Sequence, residues 1–123
     1  VRFGVPARRV STYVTMQGGM SGGTVLSGIL SEEAFGRSHL ADPFLLGPAR
    51  SGGPRREDAD VSDAAWDGAV GSWTAPFAMA PINTRVVRRS VGLLEAAAPS
   101  QAARLFSPQF TYMECALAPD EAR

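Results

Sequence analysis

Lysine is absent from this 123-residue chain, and all twelve basic residues are arginine. That excludes a Schiff-base lysine within the segment. Together with abundant alanine, glycine and proline, it reads as the coding bias of a GC-rich genome. Cysteine and histidine occur once each, as Cys115 and His39. A single cysteine forms no internal disulfide, which fits a cytoplasmic protein. One of each cannot build the usual zinc sites, which draw three or four ligands mostly from those two types, so no metal is expected. Net formal charge is zero, leaving no overall pull toward nucleic acid. Apolar runs fall far short of the roughly 20 residues that a membrane-spanning helix needs. The opening Val1–Gly4 lacks the apolar core of a leader. The chain starts on valine rather than methionine, for which a piece of a longer reading frame is the simplest expectation and a misread start codon the alternative.

What is present suits one small partial domain over residues 1–123. The 45% hydrophobic share is that of a globular protein. Val10, Tyr13 and Val14 within Arg8–Met16 mark a strand, broken by Gln17-Gly18-Gly19. Ser21 is placed to cap a helix in which Val25, Leu26, Ile29 and Leu30 recur at helical spacing. That helix stops at Gly36, with a restart at Ser31 as the alternative. Asp42-Pro43-Phe44 is expected to begin an extended segment. Residues 47–63, rich in glycine, proline and charge, read as an exposed loop that carries the solvated run Arg55-Arg56-Glu57-Asp58. The stretch Trp73-Thr74-Ala75-Pro76-Phe77 is extended and leads into a second amphipathic helix. Asn83 caps that helix or Pro81 opens it, and it ends by Pro99. A last strand covers Phe110–Ala116, with Phe110 and Tyr112 on one face and Thr111 and Met113 on the other.

On the second helix, Ile82, Val86, Val87, Val91, Leu93 and Leu94 occupy one half of the wheel at about 100° per residue. Arg85, Arg88 and Arg89 occupy the other half. The arginines form either a solvated face or a grip on a carboxylate, a phosphate or an acidic partner. Trp66, Trp73 and Phe77 are expected in the core, with an apolar pocket as the alternative. Cys115 is expected to be a small buried side chain, and His39 a solvated one.

Between strand and helix, Gly18-Gly19-Met20-Ser21-Gly22-Gly23-Thr24 is either a packing turn or the edge of a ligand pocket, because free N–H groups and the helix dipole converge there. It is not a dinucleotide loop, since Met20 stands where the second glycine of G-x-G-x-x-G belongs. Nor is it a P-loop, since Thr24-Val25 stands where Lys followed by Ser or Thr is required. Gly19-Met20-Ser21-Gly22-Gly23 does spell the G-x-S-x-G of a nucleophile elbow. A serine hydrolase therefore stays as a distant alternative, needing a strand that runs directly into the turn.

Taken in order, Gly18–Thr24, Asp42-Pro43-Phe44, Trp73–Phe77, Ile82-Asn83-Thr84-Arg85-Val86-Val87-Arg88-Arg89-Ser90 and Phe110-Thr111-Tyr112 resemble actinobacterial saccharopine dehydrogenase-like oxidoreductases. Trans-acting enoyl reductases of cell-envelope glycolipid synthesis are among these. The resemblance covers most of the chain and implies an α/β fold (α+β in its local arrangement), a mixed β-sheet flanked by helices. This would be the substrate-binding or dimerisation part that follows a Rossmann domain holding NAD(P). With no nucleotide fingerprint, the segment itself is expected to bind no cofactor and to be inactive alone. Under the resemblance Ser21, Gly22, Gly23, Thr24, Asn83 and Arg85 are the substrate-binding candidates, and no catalytic residue is named. The implied partners are a free or carrier-bound acyl substrate and a second copy of the chain, with peripheral membrane contact. A non-catalytic dimerisation or remnant module is the alternative.

Overall fold

A computed structural model describes residues 4–49 and 52–118. The β-rich residues around Val10 form β1 (Ala7–Val14). The capped segment forms α1 (Gly22–Phe35), followed by a one-turn helix α2 (Arg37–Leu40). Ser21 is the N-cap of α1, accepting the Thr24 N–H at 3.2 Å, and Gly36 ends the helix at a φ of 79° that favours glycine. A short hairpin, β2 (Ala65–Asp67) and β3 (Ser72–Ala75), precedes α3 (Ala80–Ala97) and α4 (Pro99–Leu105). The long strand β4 (Phe106–Ala118) closes the fold.

The four strands make one mixed sheet in the order β1-β4-β3-β2, with β1 parallel to β4 and the other pairs antiparallel. The expected mixed α/β sheet flanked by helices is therefore what the chain folds into. β4 extends beyond Phe110–Ala116 at both ends. Its early part carries Pro108, which has no N–H to give a ladder, and the register against β1 jumps between Ala7↔Phe106 and Arg9↔Thr111. The strand bulges there, as proline in a paired strand requires. Helix α3 opens with Pro81 near its first position and takes Met79 as N-cap, so Asn83 lies inside the helix rather than capping it. No helix among the described residues is long and apolar enough to cross a membrane.

Three expectations are corrected by packing. Asp42-Pro43-Phe44 is a tight turn, not an extended segment: the Asp42 carboxylate accepts the Phe44 N–H at 2.9 Å and its carbonyl accepts the Leu45 N–H at 3.2 Å. The loop 47–63, of which residues 50 and 51 lie outside the described residues, is not wholly solvated. Arg56–Asp58 form a 3₁₀ turn, and Asp58 is fully buried with its carboxylate accepting the Arg55 N–H at 2.8 Å. Trp66 and Trp73 are directly paired across the hairpin, edge to face at 6.2 Å between centroids, yet stay 57% and 43% exposed. Their contact stabilises the β2–β3 ribbon rather than a core.

The largest correction concerns α3. The wheel separates arginine from apolar residues as expected, but the arginine half faces inward. Arg85 is only 3% exposed and Arg88 is buried too, whereas Ile82 and Leu93 are 58% and 52% exposed. Periodicity divides a helix into two faces. Which face is covered depends on what the rest of the chain brings to it, here a row of backbone carbonyls.

Candidate functional site

The segment after α2 reaches α3 with its carbonyls pointing at the helix, and arginine is the side chain able to bind several of them at once. Arg85 donates to the carbonyls of Leu40 and Asp42 at 3.1 Å each, to the Asp60 carboxylate at 2.5 Å and to the Thr84 hydroxyl at 3.1 Å. Arg88 donates to the carbonyls of Pro43, Asp58 and Tyr112 at 2.9, 3.0 and 3.2 Å, and lies over the Phe44 ring, 5.6 Å from its centroid. Exposed Arg89 adds a 2.6 Å bond to the Leu46 carbonyl. The stripe thus staples residues 40–46 and 58–60 onto α3. Arg85 in particular is committed to four internal partners.

Beneath α3 runs a second polar line. The Asn83 amide donates to Glu114 at 2.9 Å, the Tyr112 hydroxyl donates to the other Glu114 oxygen at 2.6 Å, and Thr12 bonds that hydroxyl at 3.2 Å. Burial, then the Glu114 carboxylate, pushes the Tyr112 hydroxyl above its ordinary value. It therefore stays a protonated donor at neutral pH. The line ties the helix to β4 and β1, and Glu114, buried in the sheet, is satisfied by it. On the opposite sheet face, the Tyr13 hydroxyl crosses both inner strands to reach Asp67 at 2.7 Å. Cys115, in register with Tyr13, has no exposed surface, and burial followed by the Asp67 charge pushes its thiol up.

The Ser21–Thr24 turn stands apart from both lines. Helix α1 buries none of its residues and packs mainly against α2, so Ser21, Gly22, Gly23 and Thr24 are not brought beside Asn83 and Arg85. The Ser21 hydroxyl bonds the Thr24 hydroxyl at 2.9 Å as well as the Thr24 N–H. This is a helix cap, not an elbow nucleophile: β1 ends at Val14, well before the turn, and His39 lies beside Phe35 with ring centroids 6.4 Å apart. The turn also does not fit the dinucleotide pattern: Met20 stands where the second glycine is needed, and the Ser21 side chain occupies the N–H of Thr24, the third residue of the helix.

A cleft of about 490 Å³ opens between the turn that starts at Phe44, the middle of α3 and the bulge of β4. Phe44, Pro48, Arg55, Val91, Gly92 and Phe110 are among its walls. Gly92 is required at its floor, since a Cβ there would come within 2.5 Å of the Pro48 ring. The Nε and Nη2 atoms of Arg55 are buried and have no hydrogen-bond partner among the described residues. Sequence reasoning missed this site because Arg55 stands in a charged loop run that normally points to water. The available signal was Gly92, a helix-interior glycine whose cost in helix stability calls for a packing reason.

With this geometry in place, sequence comparison finds two relatives from Mycobacterium tuberculosis strains, H37Rv and CDC 1551, each provisionally named a trans-acting enoyl reductase, Rv2449c and MT2525. Each is 38% identical over 96 residues, covering 66% of this chain and 22% of the relative. The chain thus spans about a fifth of the length of the curated relatives it matches. No protein-family model and no solved structure matches it. Over about two-thirds of its length, the sequence of this chain is similar to part of those mycobacterial proteins.

Proposed function

We propose that this chain is the substrate-side α/β portion of an NAD(P)-dependent oxidoreductase of the saccharopine dehydrogenase-like kind. On this reading it is a trans-acting enoyl reductase that acts on acyl precursors of lipids, in the cytoplasm or at the membrane surface. The observation that supports the enoyl-reductase part of the reading is the 38% identity to the two mycobacterial proteins provisionally named so. The residues present do not fit a nicotinamide dinucleotide, so the proposal assigns cofactor binding to other parts of a longer protein and derives no hydride step here. In nicotinamide reductions the cofactor supplies the reducing chemistry, and the surrounding protein binds, orients and excludes water. This segment has the means for that supporting role: a carbonyl-stapled helix that fixes one wall of an open cleft, and a sheet that fixes the other.

The test is an assay of the complete reading frame with NADH or NADPH and a carrier-bound 2-enoyl thioester, following nicotinamide absorbance. Saturable oxidation that depends on the thioester is expected. Failure to reduce any enoyl thioester with either nucleotide would overturn the reading.

A second reading, a non-catalytic dimerisation module, draws on the exposed apolar residues of α1 (Val25, Leu26, Ile29 and Leu30) and the outer face of α3. Sedimentation equilibrium separates the two. A stable dimer without reductase activity favours the module, and a monomer eliminates it.

A further inference from the structure

We infer that the cleft between Phe44, α3 and the β4 bulge is a binding site for an amphipathic anion, with a carboxylate or phosphate head held by Arg55 and an apolar chain lying along Phe44, Val91 and Phe110. The inference goes beyond the reductase reading, because binding is measured without turnover.

Nε and Nη2 of Arg55 are the two nitrogens on one edge of the guanidinium. That edge is the fork whose parallel N–H groups match two oxygens of a carboxylate or phosphate. Both atoms are buried and lack an acceptor among the described residues, while Arg55 lines the cleft. A charged donor removed from water and given no acceptor is strongly unfavourable, so the pair is suited to an acceptor from outside the chain. The Arg55 backbone N–H is bonded to buried Asp58, which fixes the root of the side chain at the cleft.

The edge is closed to bulk water, so an anion reaches it by displacing a wall. The adjoining wall is Gly52 and Gly53, with φ of 87° and 82° and no side chains to move. Opposite, Phe44, Pro48, Val91 and Phe110 give an apolar surface, and the missing Cβ at Gly92 leaves the depth that Pro48 occupies. Glu95 also borders the cleft, but it is exposed to solvent, where its repulsion is screened far more than the attraction of a buried guanidinium. A bare inorganic ion would leave the apolar walls unused, whereas an anionic head on a hydrocarbon chain uses both.

The experiment titrates the chain with octanoate, octyl phosphate and inorganic phosphate by calorimetry, and follows the Arg55 Nε–H resonance by NMR. At least one octyl anion is expected to bind and move that resonance, with inorganic phosphate about tenfold or more weaker. Octanoate outranking octyl phosphate identifies an acyl carboxylate, and the reverse order identifies a phosphate-bearing arm. Arg55→Gln should weaken the octyl anion about tenfold, the loss expected for one charge-assisted pair. Val91→Trp, which fills the cleft from the opposite wall, should abolish binding with Arg55 intact. It keeps the proposal testable if the first variant misfolds. Unchanged affinity in folded Arg55→Gln or Val91→Trp overturns it, as does a lack of response to all three probes at millimolar concentration.

Discussion

Helices α1 and α3 are equally legible as helices, yet they stand in opposite relation to the rest of the molecule. Helix α1 has a serine cap, a glycine stop and a row of apolar residues, and it buries nothing. Helix α3 lacks a side-chain cap and carries three arginines, and it is the element around which the sheet and the turn at residues 42–46 are organised. Local signals decide whether a helix forms. Whether it becomes part of the packed body depends on partners contributed from elsewhere in the chain, and those partners here are polar. Long arginine stems fill space beneath α3 while their heads satisfy carbonyls that would otherwise be buried without donors.

The contrast breaks most visibly at Arg88. Arg88→Leu should remove about 3 kcal/mol of stability, since three carbonyls lose their charged donor at once. Leu93→Ser on the outward face of the same helix should change stability by no more than about 0.5 kcal/mol. Urea denaturation of the two variants measures the difference directly. If Leu93→Ser proved the costlier, the inward arginine face would be wrong.

Gly92→Ala tests the same helix at the cleft. Its Cβ would meet the Pro48 ring at 2.5 Å. The resulting overpacking, about 1–3 kcal/mol, outweighs the roughly 1 kcal/mol that alanine returns in helix propensity. A small net loss of stability is expected, with chemical-shift changes concentrated at residues 44–49. In α1, Ser21→Ala removes the cap and should cost about 1 kcal/mol. Because α1 is not part of the packed body, that loss should appear as faster amide exchange within 22–35 while the global unfolding midpoint stays put.

The smallest expected effect is a pH dependence at the half-buried Tyr13–Asp67 bond. The Tyr13 hydroxyl, then the Ala69 N–H, hold the Asp67 carboxyl below its ordinary 3.8. Their stabilisation is complete above that value and drains away as pH falls through the depressed native value. The same bond, then burial, raises the Tyr13 phenol above 10.0, so its stabilisation is intact below 10.0 and is lost as pH rises through the native value. Asp67→Asn should flatten both limbs of the stability–pH curve, as read from thermal midpoints at low salt.

Much of this fold is legible from the residues alone. The strand around Val10, the helix from Ser21 to Gly36, the helix after Pro81 and the alternation along β4 all follow from propensity, caps and period. The departures share one physical origin. Pro43 signals an extended chain, but the Asp42 carboxylate captures the Phe44 N–H and closes a turn. Asp58 sits in a charged run, but it is buried beneath Arg55 and α3. Charge near charge in sequence reads as solvated until the tertiary arrangement supplies a buried acceptor, and no local window contains that information. For the same reason the cleft was out of reach: its walls come from residues 44–49, 52–55, 88–95 and 107–110, and only the completed sheet brings them together.

Cys115 gives the molecule a silent alarm. Its thiol is sealed within the sheet and held in the protonated, unreactive form, so alkylating or oxidising reagents should pass the native protein by. Any event that parts β4 from its neighbours would expose the chain's lone sulfhydryl. The timing of its capture would then report how often the sheet breathes open.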